Sequence, residues 1–209
     1  MEGIAVSSLQ GAAGTRPYIV ALGGATREGS STEKALRVAL SAAERAGAET
    51  LLLGSADLDL PMYAPERTER GVAARRLVHE LRRADGIIIG SPGYHGGISG
   101  LVKNALDYTE DMRTDPKPYF EGRAVGCVVT AAGWQATMTT LIALRGVVHA
   151  LRGWPTPLSV PINTSQPMFR ADGICLDERI QEQLGTMSAQ IVAFAAMNLT
   201  AKLTQLEVA

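Results

Sequence analysis

Apolar residues in this chain fall into short unbroken runs that alternate with longer stretches of helical spacing. Tyr18-Ile19-Val20-Ala21-Leu22-Gly23 is apolar throughout, which predicts a buried central strand. After the loop Gly24–Thr32, Leu36, Ala39, Leu40 and Ala43 recur on one face of a helix that ends near Gly47. Glu49–Leu53 predicts a second strand, and Leu58–Pro65, with prolines at 61 and 65, an irregular loop. A helix is expected over Glu66–Ala84, with Ala73, Leu77, Leu81 and Ala84 inward and Arg75, Arg76, Arg82 and Arg83 on its wet face. Gly86-Ile87-Ile88-Ile89-Gly90 is the third strand, and Leu101, Val102, Ala105, Leu106 and Met112 mark the helix after it.

Beyond a polar connection from Arg113 to Gly122, Arg123–Thr130 reads as a fourth strand and Ala131-Ala132-Gly133 as its turn. A helix follows from Trp134 to Arg152, broken by Gly153-Trp154-Pro155-Thr156-Pro157. Leu158–Ile162 contains a proline and is placed as a fifth strand at an edge. Asn163–Gly173 is a loop, and Asp177–Leu203 is the last helix, with Ile180, Leu184, Met187, Ile191 and Ala195 on one face. Residues 1–16 are small and glycine-rich without a sustained period, which reads as a flexible tail before one domain over 17–209. Repeated strand–helix alternation with short connections implies an α/β fold with a parallel sheet covered on both faces. Five strands suit the order 2-1-3-4-5, whose crevice lies where the turns after strands 1 and 3 meet.

Those turns carry the candidate chemistry. The first, Gly24-Ala25-Thr26-Arg27-Glu28-Gly29-Ser30-Ser31-Thr32, opens a helix, so its N–H groups and positive dipole end suit a phosphate. Thr26, Ser30, Ser31 and Thr32 add hydroxyls, and Arg27 adds a charge-assisted donor. Ser30-x-x-Glu33 is also a capping box, which would satisfy the helix end with no ligand at all. The loop is neither a Gly-x-Gly-x-x-Gly fingerprint nor a P-loop. The second turn, Pro92-Gly93-Tyr94-His95-Gly96-Gly97, offers close backbone approach, a ring face and an imidazole. The third, Ala131-Ala132-Gly133, is small enough for a flat ligand to lie against its backbone, with Trp134 read as the anchor of the following helix.

Two motifs carry a resemblance to a known family. Pro-x-Tyr-x-x-x-Ile-x-Gly-x-x-Lys-Asn-Ala-x-Asp, from Pro92 to Asp107, resembles the flavin-proximal loop of the NAD(P)H-dependent FMN reductases and their quinone, azo-dye and chromate reductase relatives. Gly24, Arg27 and Ser30 resemble that family's phosphate loop, Gly-Ser-x-Arg-x-x-Ser, with Ala25 where serine is usual. The resemblance implies a flavodoxin-like three-layer fold, FMN as cofactor, and NADPH or NADH as hydride donor. It implies that Thr26, Arg27, Ser30, Ser31 and Thr32 hold the FMN phosphate. Pro92, Gly93, Tyr94, His95, Gly96 and Gly97 would line one side of the isoalloxazine, and Ala131, Ala132 and Gly133 the other. It implies a homodimer or homotetramer, with electrons passed to free flavin, a quinone or another electron-poor small molecule, or carried off to a monooxygenase.

The family more often has asparagine at the position of His95, which either tunes the reduced flavin or makes one ordinary loop hydrogen bond. Ser99 stands where proline is common and can cap its helix; Lys103, Asn104 and Asp107 read as packing and capping residues. No catalytic side chain is required, because the cofactor carries the hydride chemistry. Two other readings fit the same sequence: a flavodoxin-like electron carrier, and a tailoring reductase with a selective pocket from Trp154, Met168 and Phe169.

Composition narrows these options. A formal net charge of -1 gives no electrostatic case for nucleic acid or an anionic membrane, and runs against an acidic electron carrier. Cys127 and Cys175 show no metal spacing; Cys127 lies in a strand as a small hydrophobe, and the expected compartment is the reducing cytoplasm. His79 and His149 lack metal-type companions, so no metal is expected. No apolar run is expected to span a membrane, and the start lacks a signal peptide's pattern.

Overall fold

The structure, a computed structural model, describes residues 16–208. Its strands are β1 (Tyr18–Gly23), β2 (Glu49–Leu53), β3 (Gly86–Tyr94), β4 (Gly97–Ile98), β5 (Ala124–Ala131), β6 (Trp154–Pro155) and β7 (Val160–Asn163). Its helices are α1 (Ser31–Arg45), α2 (Val72–Arg83), α3 (Gly100–Asp107), α4 (Trp134–Ala150) and α5 (Glu178–Val208). The sheet runs β2-β1-β3-β5-β6, with β7 also against β5 and β4 hairpinned on β3. All pairings are parallel except β3–β4.

Period-two alternation sorts the sheet's side chains into two cores. Val20, Leu22, Ile87, Ile89, Val125, Cys127 and Val129 pack with α2, α3 and α4. Ile19, Ala21, Ile88, Ala124 and Val128 pack on the opposite face with α1 and α5. The result is the covered parallel sheet that the alternation implied, in the three-layer, flavodoxin-like form that the resemblance implied. Leu36, Ala39, Leu40 and Ala43 are buried as expected, and so are Ile180, Leu184, Met187, Ile191 and Ala195. Cys127 is fully buried, and desolvation pushes its thiol up to about 12, so it is an inert core residue.

Four expectations need correction. The third strand does not stop at Gly90 but runs through Pro92 to Tyr94, pairing Pro92 with Thr130 of β5. Position five is split: Trp154–Pro155 pairs with the start of β5 and Val160–Asn163 with its end. Helix α2 starts at Val72 rather than Glu66, leaving Ala73 exposed and Ala74 buried. The cause is tertiary: the Arg70 guanidinium donates to the Ala64 and Arg67 carbonyls and pairs with both oxygens of Asp111, at 2.8 and 2.9 Å, which holds 64–70 as a loop. By length and composition Glu178–Ala201 could cross a bilayer, at mean hydropathy 1.2, although its buried stripe is core of this domain. Of the expected tail, residues 1–15 lie outside the described residues, while Arg16 donates to the carbonyls of Gly47 and Ala48.

The connection from β2 to α2 is long but tethered. Buried Asn104 on α3 accepts from Tyr63 N–H at 2.8 Å and donates to the Leu60 and Pro61 carbonyls at 3.2 and 3.0 Å. Tyr108 Oη also donates to Pro61 O. Asn104→Ala would strip the Tyr63 N–H and the Leu60 carbonyl of their partners and leave the Pro61 carbonyl only the Tyr108 hydroxyl, at a cost of about 2 kcal/mol. The expected results are a lower melting temperature and faster tryptic cleavage at Arg67 and Arg70; unchanged cleavage would show the loop is held elsewhere.

Candidate active site

The cleft lies at the carboxyl ends of β1, β3 and β5. Its entrance depends on glycine where two strand ends approach each other. Gly23, at φ +144, stands opposite Gly90, and the Gly24 N–H reaches Gly90 O at 3.4 Å. The first turns of α1 and α4 complete the walls. Ala25, Thr26, Arg27, Ser30, Ser31 and Thr32 line one side, Pro92, Gly93 and Tyr94 the next, and Thr130, Ala131, Ala132, Ala136 and Thr164 the third. The cleft volume is about 460 Å³, within the range of cofactor sites.

The structure brings residues of all three turns to one cleft, but not every residue expected there. His95 and Gly96 form the tip of the β3–β4 hairpin, with φ of +51 and +78, and neither they nor Gly97 belong to the cleft lining. Positive φ at both central residues makes this a type I′ turn. Gly133 is the N-cap of α4 at φ +131, its N–H accepted by Asn163 Oδ1 at 3.1 Å, and it too stands behind the lining. Tyr94 is 57 % exposed, so its ring is free to meet a ligand. Trp134 is 58 % exposed and does not anchor α4 as expected.

Thr130, Ala136 and Thr164 also line the cleft, although the sequence does not single them out. Thr130 Oγ1 shares a 2.6 Å hydrogen bond with Thr32, which ties the end of β5 to the start of α1. Ala136 and Thr164 carry no chemical signal that marks them in sequence. Behind Gly93, Thr140 is fully buried without a hydrogen-bond partner, and a Cβ on Gly93 would stand 2.8 Å from its hydroxyl.

The start of α1 shows that cap and ligand readings are compatible. Ser30 Oγ accepts from Glu33 N–H at 3.2 Å, while the Glu33 carboxylate accepts from Gly29 N–H at 3.1 Å and pairs with Arg37 at 2.7 Å. That satisfies the cap but leaves the N–H groups of Ser31 and Thr32 without acceptors among the described residues. Arg27 is exposed and has no ion pair or hydrogen bond among them. Two free N–H groups at a helix N-terminus, two serine hydroxyls and an uncommitted guanidinium form a donor set for a phosphate dianion. Absence of a serine at Ala25 removes one further donor. The remaining walls are small or flat, which suits a planar ring system. These residues fit FMN.

Apart from Arg27, the described lining holds no charged side chain, no histidine and no cysteine. His79 and His149 lie exposed on α2 and α4, and no group of three metal-ligating side chains occurs among the described residues. Ser99 caps α3, accepting from Val102 N–H, and Lys103 pairs with Asp107 one turn on. Those residues serve the helix, as expected. A cleft built this way can bind and orient, but it offers no general acid or base of its own; any redox chemistry comes from what it binds.

Known proteins agree with the geometry. Residues 17–166 match the profile of the NADPH-dependent FMN reductases. An FMN-dependent NADPH-azoreductase from Staphylococcus aureus is 30 % identical over 139 residues, 66 % of this chain and 70 % of that protein. FerB, a flavoenzyme NAD(P)H:(acceptor) oxidoreductase from Paracoccus denitrificans, shares the fold with TM-score 0.72 at 20 % identity, over 87 % of this chain and 98 % of its own. RosB superposes with TM-score 0.71 at 14 % identity, over 91 % of this chain and 87 % of its own. By its sequence profile, its relatives and the architecture that places its β1–α1 turn beside the end of β3, the chain belongs to the NADPH-dependent FMN reductase family and is an FMN- and NAD(P)H-dependent oxidoreductase.

Proposed function

We propose that this reductase passes electrons from NAD(P)H through bound FMN to a small electron-poor aromatic acceptor, such as free flavin, a quinone or an azo compound. The carrying observation is the cleft itself: a phosphate-type donor set beside a flat, small-walled, open slot with no acid or base. FMN, when bound, supplies the hydride-accepting ring. Ser30, Ser31, Thr32 and Arg27 hold its phosphate. Pro92–Tyr94 and Ala131–Ala132 flank its ring, and the exposed Tyr94 side leaves room for nicotinamide and then acceptor. A reduced flavin released from the slot would equally serve a monooxygenase. The azo acceptor is suggested by the named activity of the S. aureus relatives.

A pathway-specific pocket finds no support. Trp154 pairs with Ala124 at the start of β5, the end of the sheet opposite the cleft, and packs on Phe194. Met168 and Phe169 pack against the α1–α5 core. Steady-state nucleotide oxidation with a panel of flavin, quinone, azo and nitro acceptors tests the reading. Turnover with several classes supports it; turnover with one metabolite-like acceptor alone would replace it.

We place the enzyme in the cytoplasm and read it as a homodimer. Trp134, Met138 and Ile142 form an exposed apolar stripe at i, i+4, i+8 on α4, with Ile142 66 % exposed. The stripe is uncharged and begins beside Ala136 in the cleft wall. A second copy seated on it would meet no charge repulsion and would narrow both clefts. Ile142→Glu should shift light-scattering mass from dimer to monomer; a wild-type monomer would sink the assembly while leaving the chemistry intact.

A further inference from the structure

A hollow of about 260 Å³ lies at the opposite end of the sheet from the cleft, beside the starts of β3 and β5. The length of β5 separates the two by roughly 25 Å. Four cationic side chains line the hollow, Arg82, Arg83, Lys117 and Arg123, against two carboxylates, Asp85 and Glu121. Arg82, Arg83 and Glu121 are exposed and pair with Asp115, Glu80 and Arg152, none of which lines the hollow.

Arg123 differs from them. It is only 8 % exposed, and no carboxylate touches it among the described residues. An arginine so deeply buried is almost always paired. Its three hydrogen bonds go instead to backbone carbonyls, those of Ala84 and Tyr119 at 2.7 Å and of Arg82 at 2.9 Å. Arg82 and Ala84 close α2, whose dipole returns about half a negative charge. About half a positive charge is left over, with two of the five guanidinium N–H groups uncommitted. Burial lowers the guanidinium from its ordinary pKa, and Asp85 and Asp115 offset only part of that effect. A buried cation still short of negative charge, in the wall of a cation-rich hollow, calls for an anion.

Size and the remaining carboxylate narrow the choice. The hollow falls below the range of pockets that take nucleotide-sized ligands, so its anion is small. A guanidinium fork suits a tetrahedral oxyanion. Asp85 then discriminates. One of its oxygens accepts from Tyr18 N–H at 3.0 Å, and the other has no hydrogen bond among the described residues. That carboxylate repels sulfate, which carries no proton at neutral pH. It accepts the O–H of hydrogen phosphate, so a repulsion becomes a hydrogen bond.

We propose that this hollow binds inorganic phosphate, with Arg123 and Lys117 holding the anion and Asp85 selecting its protonated form over sulfate. The site is remote from the flavin cleft and does not depend on how that cleft is read. Asn198 of α5 lines the same hollow and donates to Gly122 O at 2.9 Å. Bound phosphate therefore ties the end of α2 and the connection before β5 to α5, and stabilises the folded state by mass action.

The test is thermal unfolding of FMN-saturated protein in rising sodium phosphate, with sodium chloride holding the ionic strength constant. Saturation with FMN keeps added phosphate out of the flavin cleft. The melting temperature should rise saturably with phosphate, and sulfate should raise it less. Lys117→Gln should shift the phosphate midpoint several-fold to higher concentration. Asp85→Asn keeps the oxygen that accepts from Tyr18 and should erase the preference for phosphate over sulfate. Arg123→Lys keeps the charge but loses the fork, and should weaken both anions; where it does not fold, the other two variants decide. Arg27→Ala, in the flavin cleft, should leave the rise intact. A rise no larger than chloride gives would overturn the assignment. So would sulfate matching phosphate in wild type, a midpoint unmoved by Lys117→Gln, a preference unmoved by Asp85→Asn, or a rise lost with Arg27→Ala.

Discussion

Gly23→Ala is expected to prevent stable folding, or to cost more than about 3 kcal/mol. A Cβ at this position would stand 2.0 Å from Gly90 O, 2.8 Å from its carbonyl carbon and 2.9 Å from its Cα. All three are backbone atoms of a central strand paired on both sides, so nothing can rotate away. The φ of +144 adds strain that an L side chain rarely accepts. Relief would require β1 and β3 to separate where the cleft opens, so FMN binding should fall with stability. Chemical denaturation of the variant against wild type measures the first effect, and flavin titration the second. Gly29→Ala makes the control: its φ is +65, but a Cβ there meets nothing within 4 Å, so its penalty is conformational only. Equal stability of Gly23→Ala and wild type would contradict the close approach of the two strands.

The second large effect is on cofactor affinity. Arg27 is the only charged side chain among the described residues of the cleft lining, and no described residue pairs with it. Arg27→Ala should raise the FMN dissociation constant about tenfold, a value discounted from a buried charge-assisted bond because the guanidinium is exposed. The affinity for riboflavin, which lacks the phosphate, should change little. Wild-type FMN binding should also weaken with added salt more than the variant's does, since Arg27 supplies the screened part of the attraction. Equal loss for riboflavin and FMN would move Arg27 from the phosphate to some other role.

Most of this fold was legible because a parallel sheet buried on both faces announces its strands as apolar runs. β1 and β2 match their expected bounds, and β5 is displaced by one residue. The errors share one cause, which is tertiary contact overriding a local signal. Pro92 looked like the end of a strand, yet β3 continues through it alongside β5. His95-Gly96 reads in the sequence as part of a strand-to-helix turn, whereas the structure makes it the two-residue link of a hairpin between Tyr94 and Gly97. Its left-handed backbone favours glycine, asparagine or histidine at His95 on conformational grounds alone. The start of α2 is set by Arg70 reaching Asp111 across 41 positions, which no window of sequence contains. The cleft-lining residues of the first turn were readable because their hydroxyl and guanidinium groups are concentrated in one turn. Thr130, Ala136 and Thr164 were not, because they enter the site only through the closing of the sheet.

Absorbance of the FMN-loaded protein under anaerobic nucleotide tests the central claim most directly. The account predicts that the oxidised-flavin bands bleach on adding NADH or NADPH and return when a quinone or oxygen is admitted. A protein that holds FMN stoichiometrically, but whose bands persist with both nucleotides, would contradict it.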